Sequence, residues 1–269
     1  MDKPFLAALF DVAVQAADPL TGIRAHLPEP PPSGRTVVIG AGKGAAQMAA
    51  ALEPLWPGPL TGIVVTRYGY GCETRGIEVL EAAHPVPDEA GLAAGARLLD
   101  LVSGLTENDL LIALVCGGGS ALLPAPPEGL TLADEIAVNE ALLASGAPIS
   151  AMNMVRKHVS RIKGGRLAAA THARVVSLLV SDIPGDNPAA IASGPTIPDA
   201  STRADALAIV AQYRLDLPAA VMTHLNGPAA DAPMPDDPVF ARHEHHIVAS
   251  ARVSLEAAAD EARGRGVMP

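Results

Sequence analysis

The sequence predicts an α/β protein with a doubly wound, mainly parallel sheet and flanking helices. Three observations lead there. Short apolar runs recur along the chain, and one of them, Leu110–Val115 (LLIALV), is unbroken, as suits a strand buried on both faces. Segments of helical length alternate with these runs. Several runs end in glycine- or proline-rich loops, and open parallel sheets bind ligands beyond the carboxyl ends of their strands.

The N-terminal stretch MDKPFLAALFDVAVQAADP carries Asp2 and Asp11 and no basic leader, and it reads as an amphipathic helix rather than a signal peptide. LPEPPPS (27–33) is too proline-rich for either regular structure and links that helix to a first strand, Thr36–Ile39. Gly40–Ala46 (GAGKGAA) then opens a helix running to Leu55. A second strand, Ile63–Thr66, leads into the loop RYGYG, and a third, Ile77–Ala82, into HPVPDEAG, where Asp88 can cap a helix to Val102. Leu110–Val115 is the fourth strand and is followed by Cys116 and three glycines. Thr131–Ser145 and Ser150–Ile162 read as helices separated at Gly146 and Pro148, Val175–Ser181 as a fifth strand, and Thr202–Tyr213 as a helix. GPAADAPMPDDP has linker composition, and a strand His246–Ala249 and a helix Ser254–Arg265 follow it. The expected division is an α/β domain over 1–226, a linker over 227–238, and a strand–helix start of a C-terminal region over 239–269. The whole pattern is Rossmann-like.

Composition narrows the function. The 269 residues are 49% hydrophobic, enough for a large core, and no apolar run approaches the ~20 residues of a membrane helix. A net charge of −10 argues against nucleic acid as a partner, so an anion must be met by a local basic spot. Two cysteines, Cys72 and Cys116, make neither a disulfide framework nor a zinc pattern, and the expected compartment is the cytosol.

Four loops carry candidate chemistry. Gly117, Gly118, Gly119 and Ser120 turn a strand into a helix start, an arrangement that presents free N–H groups to phosphate. Gly40–Ala46 partly fits a dinucleotide fingerprint, but Val64–Arg67 lacks the carboxylate that would hold a ribose, and Arg67 suits at best a 2′-phosphate. Nor is it a Walker loop, because Gly44 follows Lys43 where a hydroxyl would hold magnesium. What remains is a lysine at a glycine-rich helix start, suited to a transferring phosphate. SAMNMVRKHVSRIKGGR (150–166) is the most basic stretch, with Arg156 and Lys157 as anion candidates against the alternative of a solvated face. Asp182 and Asp186 in DIPGDN can hold Mg²⁺, or one of them can accept a hydroxyl proton, although these are also ordinary turn residues. His84 sits at a strand end with no assigned role. His243, His245 and His246 lack companion ligands and read as solvated.

Taken together, GAGKGAA, HPVPDEAG, CGGGSALL, MNMVRKHVSRIKGGRLA and SDIPGDNPAAIASGPTIPD resemble the class II glycerate 2-kinases, the MOFRL family, whose members often carry the name hydroxypyruvate reductase. The resemblance covers nearly the whole chain. It implies ATP- and Mg²⁺-dependent phosphorylation of D-glycerate to 2-phosphoglycerate in an interdomain cleft, and it is compatible with a homodimer. Lys43 matches the family's functional lysine and Asp182 the aspartate of its SDxPGD motif, while Cys116 stands where serine is common. The family continues into a C-terminal MOFRL domain bearing a phosphate-facing arginine. The sequence ends at Gly266-Val267-Met268-Pro269, so turnover by these residues alone is expected to be impaired. Two other readings are NAD(P)H-dependent reduction of hydroxypyruvate, supported by Gly40–Ala46, and a non-catalytic nucleotide- or anion-binding domain.

Overall fold

The computed structural model describes residues 3–269; Met1 and Asp2 lie outside the described residues. In chain order the elements are α1 (Lys3–Ala16), α2 (Pro19–Arg24), β1 (Thr36–Ala41), α3 (Ala45–Leu52), β2 (Thr61–Arg67), β3 (Ile77–Ala82), α4 (Glu89–Ser103), β4 (Leu110–Cys116) and α5 (Gly119–Leu122). They continue with α6 (Leu132–Ala144), α7 (Ile149–His158), α8 (Arg166–Ala169), β5 (Arg174–Val180), α9 (Arg203–Gln212), α10 (Ala219–Asn226), β6 (His243–Ala249) and α11 (Ala251–Gly264). The six strands form one sheet in the order β3-β2-β1-β4-β5-β6, and every neighbouring pair is parallel.

Strand periodicity divides the core between the two sheet faces. Leu111, Ala113 and Val115 of β4 pack with Ala94, Leu98 and Val102 of α4 and Leu167 of α8 on one face. Leu110, Ile112 and Leu114 pack with Met48, Ala49 and Leu52 of α3 and Ile23 of α2 on the other. Both faces are covered, which is why β4 reads as a continuous apolar run. A third cluster is built from α6, α7, α9 and α10 around Val138, Leu142, Val155, Val210, Val221 and Leu225. It forms a helical subdomain beside the sheet.

Several elements differ from their sequence-based outlines, three of them near the site. The helix of the basic stretch, α7, stops at His158 rather than Ile162. Arg166 takes over its end, donating to the carbonyls of Lys157 and Lys163 and to Ala230 O at 2.8 Å. The segment 239–269 supplies the sixth strand of the same sheet, pairing with β5, and α11 then packs along α1. Ile247 and Val248 of that strand lie against core residues of both faces, so the sheet continues across the linker sequence. The glycine run after β4 opens a helix of only four residues, α5.

Candidate active site

Strand order reverses between β1 and β4, so the loops leaving these strands part in opposite directions and open a crevice at the carboxyl edge. Backbone contacts lock the two loops together. Lys43 N donates to Gly117 O at 2.9 Å, and Gly44 N donates to Cys116 Sγ at 3.2 Å. Burial pushes the Cys116 thiol up to about 11, so it stays protonated and serves here as an acceptor, not a nucleophile.

The glycines after β4 are required by what approaches them. A Cβ on Gly117 would stand 1.8 Å from Asp182 Oδ2. One on Gly118 would stand 3.0 Å from His84 Nε2 and 3.1 Å from the Lys43 stem, and Gly118 also has a left-handed φ of 89°. The turn therefore gathers Asp182, Lys43 and His84 onto one patch of bare backbone. A single helical turn supplies little macrodipole, so the close approach, rather than a long helix, accounts for the glycine run.

The crevice is a cleft of about 310 Å³, lined among others by His84, Ser120, Asn153, Arg156, Asp182 and Ser193. A hollow of about 650 Å³ near Phe10, Val14 and Ser254 is larger, but among the described residues Asp18 is the only charged one lining it. Convergent polar groups, not size, mark the cleft as the candidate site. Lys43 Nζ lies 3.8 Å from Asp182 Oδ2, with the two side chains 47% and 49% exposed. Across the cleft, Arg156 Nε donates to Asn139 Oδ1 at 2.7 Å and Nη1 to Asn153 Oδ1 at 3.2 Å. Both acceptors are neutral amides, so they fix the guanidinium plane without an ion pair; burial lowers its pKa and the charge of Glu135 opposes that shift. Ser120 Oγ and Ser193 Oγ are 3.0 Å apart, and Ser193 Oγ donates to Asn153 Oδ1 at 3.3 Å. Ser193 reaches this position from a left-handed backbone (φ 61°) next to left-handed Ala192 (φ 51°), a local cost of ~1–3 kcal/mol each that the surrounding packing sustains. Burial first, and the charges of Lys43 and Arg67 next, hold the His84 imidazole below its ordinary value, so it is neutral near pH 7.

Of the residues singled out in the sequence, Lys43, Gly117–Gly119, Ser120, Arg156 and Asp182 meet around this cleft. Lys157 does not. It is buried, ion-paired with Asp199, and its amine is pushed down to about 8 by burial. Helical geometry explains the split, since consecutive residues are ~100° apart around the axis. Asp186 also turns away: its carboxyl is held below the usual range by the Ser181 hydroxyl, then by Ser250 and Arg252. Among the described residues no group of three or more His, Cys, Asp or Glu is placed to hold a metal. Asp182 is thus the single carboxylate of the cleft lining. Of the histidine tract, His246 stacks on His26 with ring centres 4.6 Å apart, remote from the cleft lining. Sequence reasoning missed Asn139 and Asn153. The one available signal was the spacing of Asn153 and Arg156, three apart on one helix face.

Fold and crevice define the class: an open, doubly wound α/β protein with a polar cleft at its switch point. Residues 5–226 match the family model described as a domain of unknown function, DUF4147, and the chain belongs to that family. It is 50% identical over 272 residues to an Agrobacterium vitis protein provisionally named hydroxypyruvate reductase, covering 99% of this chain and 60% of that one. It is 40% identical over 239 residues to the glycerate 2-kinase of Pyrococcus horikoshii, covering 87% and 53%. The crystal structure of a Thermotoga maritima glycerate kinase superposes with a TM-score of 0.88 at 34% identity, covering 98% of this chain and 63% of that one. The chain thus spans 53–63% of the length of these three relatives. The resemblance read from the motifs is borne out, as is the parallel α/β fold.

Proposed function

We propose that this cleft transfers the terminal phosphoryl group of ATP to the 2-hydroxyl of D-glycerate. The observation that carries the reading is Arg156, an amide-clamped guanidinium without an ion-paired carboxylate among the described residues, sharing one cleft with Asp182 of the Lys43–Asp182 pair. That geometry offers one anion site for a substrate carboxylate and a second for the transferring phosphoryl group at one cleft of about 310 Å³. Kinase relatives support the reaction class.

The chemistry is mainly positioning and charge stabilisation. Arg156 binds the substrate carboxylate, and Ser120 and Ser193 offer hydroxyls to its polar atoms. The 2-hydroxyl oxygen forms a bond to the γ-phosphorus while the bridging oxygen–phosphorus bond breaks, and ADP leaves. Lys43 stabilises the charge spread over the transferring group. The hydroxyl proton has two acceptors within the lining, the Asp182 carboxylate and the neutral His84 imidazole. A half-exposed carboxylate with donor phosphates and waters suits Mg²⁺, which keeps most of its hydration and binds through one or two carboxylates. Asp182 is the residue that would hold it, and bound Mg²⁺ would neutralise phosphate charge.

The test is a coupled ADP-release assay on the full chain with D-glycerate, L-glycerate and related hydroxy acids, run beside NADH oxidation with hydroxypyruvate. Glycerate-dependent ADP release is the expected result. Hydroxypyruvate-dependent NADH oxidation without ADP release would replace the kinase reading by the reductase reading.

A further inference from the structure

The phosphoryl-transfer site leaves one nearby cation unused. Arg67 ends β2 at the carboxyl edge of the sheet, in register with Ala82 of β3. Its guanidinium carbon lies 3.5 Å from the centre of the Tyr70 ring. Among the described residues its side chain has no ion-pair or hydrogen-bond partner, and its Nε is buried and orphaned. An arginine carries five donors and no acceptor, and buried donors are nearly always answered.

The loop around this stack is tied down rather than loose. Tyr70 N donates to Arg67 O at 3.1 Å, and Tyr68 N donates to Ala82 O at 3.2 Å. Gln47 Nε2, on α3, donates to Tyr70 O at 3.1 Å, and the Tyr68 hydroxyl donates to Asp88 Oδ2 at 2.7 Å. Stacking holds a planar guanidinium in one orientation, so little rotamer freedom remains to be lost when an anion binds. Two observations place the stack beside the catalytic patch. The Thr66 hydroxyl, one residue before Arg67, donates to Lys43 O at 3.2 Å. The charges of Arg67 and Lys43 both reach the His84 ring.

We propose that Arg67, held flat on Tyr70, binds the phosphate chain of the nucleotide donor and forms with Lys43 an anion subsite separate from the carboxylate subsite at Arg156. The inference rests on the kinase reading. Lys43 already faces Asp182, so a further cation on this wall would add to the hold on a polyanionic phosphate chain, and Arg67 is the neighbouring one without an ion-pair partner among the described residues.

The experiment is calorimetric titration of the full chain with MgATP, inorganic tripolyphosphate, NADPH and glycerate, for the parent protein and for Arg67→Gln, Arg67→Lys and Tyr70→Ala. Arg67→Gln is expected to weaken MgATP and tripolyphosphate about tenfold or more, the worth of one charge-assisted hydrogen bond. Arg67→Lys recovers part of that loss, Tyr70→Ala shows a smaller one, and glycerate affinity is unchanged throughout. Equal ATP and tripolyphosphate affinities in the parent and Arg67→Gln overturn the inference alone. So does an effect confined to NADPH, which would assign Arg67 to a 2′-phosphate. If Arg67→Gln fails to fold, Arg67→Lys and Tyr70→Ala decide: parental affinities in both overturn the inference. A parent protein that binds glycerate but neither ATP nor tripolyphosphate removes the kinase reading, and the inference with it.

Discussion

The charges of the helical subdomain and those of the sheet edge are built on opposite plans. In the subdomain, Lys163 Nζ meets Glu135 Oε1 at 2.6 Å with both side chains almost fully buried, and Glu135 Oε2 also accepts from Ala125 N at 3.0 Å. At the sheet edge, Lys43 and Asp182 stand 3.8 Å apart and half exposed, and among the described residues Arg67 has no carboxylate partner. An exposed pair at that distance contributes ~0–1 kcal/mol, so stability does not explain why it is there. A buried pair, by contrast, becomes a large liability once one member is removed. Pairing quality therefore separates charges that hold the fold from charges left available for a ligand.

The comparison is broken first by removing a subdomain charge. Lys163→Met should leave the Glu135 carboxylate buried without a counter-ion and destabilise the chain by ~3–5 kcal/mol in urea unfolding, whatever its activity. A loss below ~1 kcal/mol would mean that the two regions do not differ. Lys43→Ala is the mirror test. It should lower kcat by ~10²–10³ while changing stability by less than ~1 kcal/mol. Unchanged turnover would remove Lys43 from the mechanism, and a large loss of stability would place it with the structural pairs.

Arg156 and Lys157 sharpen the contrast within two consecutive residues. Arg156→Gln should raise the KM for glycerate by about tenfold or more and leave the unfolding midpoint nearly unchanged. Lys157→Gln should do the reverse, because it removes the buried partner of Asp199 and touches nothing in the cleft. A KM effect from Lys157→Gln would contradict the assignment of the two faces of α7.

How far this was readable from sequence differs between the same two regions. The sheet edge was legible because its signals are punctuation: an apolar run ending in glycines, a lysine between glycines, a carboxylate after a strand. Ile77–Ala82 was outlined with its observed bounds, and Lys43, Gly117–Gly119 and Asp182 lie together as expected. The subdomain was less legible. Arg156 and Lys157 look alike in sequence, and only the packing of α7 decides which of them meets solvent. The placement of the Ser193 hydroxyl in the cleft depends on successive left-handed residues, including Ala192, that no composition announces. Helix α10 was missed because it is short and carries only Val221 and Leu225 as buried residues. β6 was started too late because His243, Glu244, His245 and His246 precede its apolar end and break the alternating pattern.

His243 supplies the smallest effect and a test of where sequence polarity misleads. The tract reads as solvated, yet burial, with Arg242 second, pushes the His243 imidazole down to about 4. Its Nδ1 is buried without a partner, and the ring meets Phe240 edge-on at 5.2 Å between centres. The folded chain therefore holds this ring neutral, while the unfolded chain protonates it near 6.5. Between those values the unfolded state binds more protons, so the contribution is complete above about 6.5 and is lost as pH falls towards about 4. His26, His84 and His158 are shifted in the same direction and add to the same window. Carboxylates such as Asp109 and Glu53, held below their ordinary values, lose their contribution only at lower pH, so the range from about 5 to 6.5 isolates the histidines. In urea titrations across that range, His243→Gln should reduce the slope of stability against pH. The reduction should stay below the ~1.4 kcal/mol per pH unit of one full proton, because the ring remains partly solvated. An unchanged slope would show that His243 titrates alike in both states and that the tract is solvated after all.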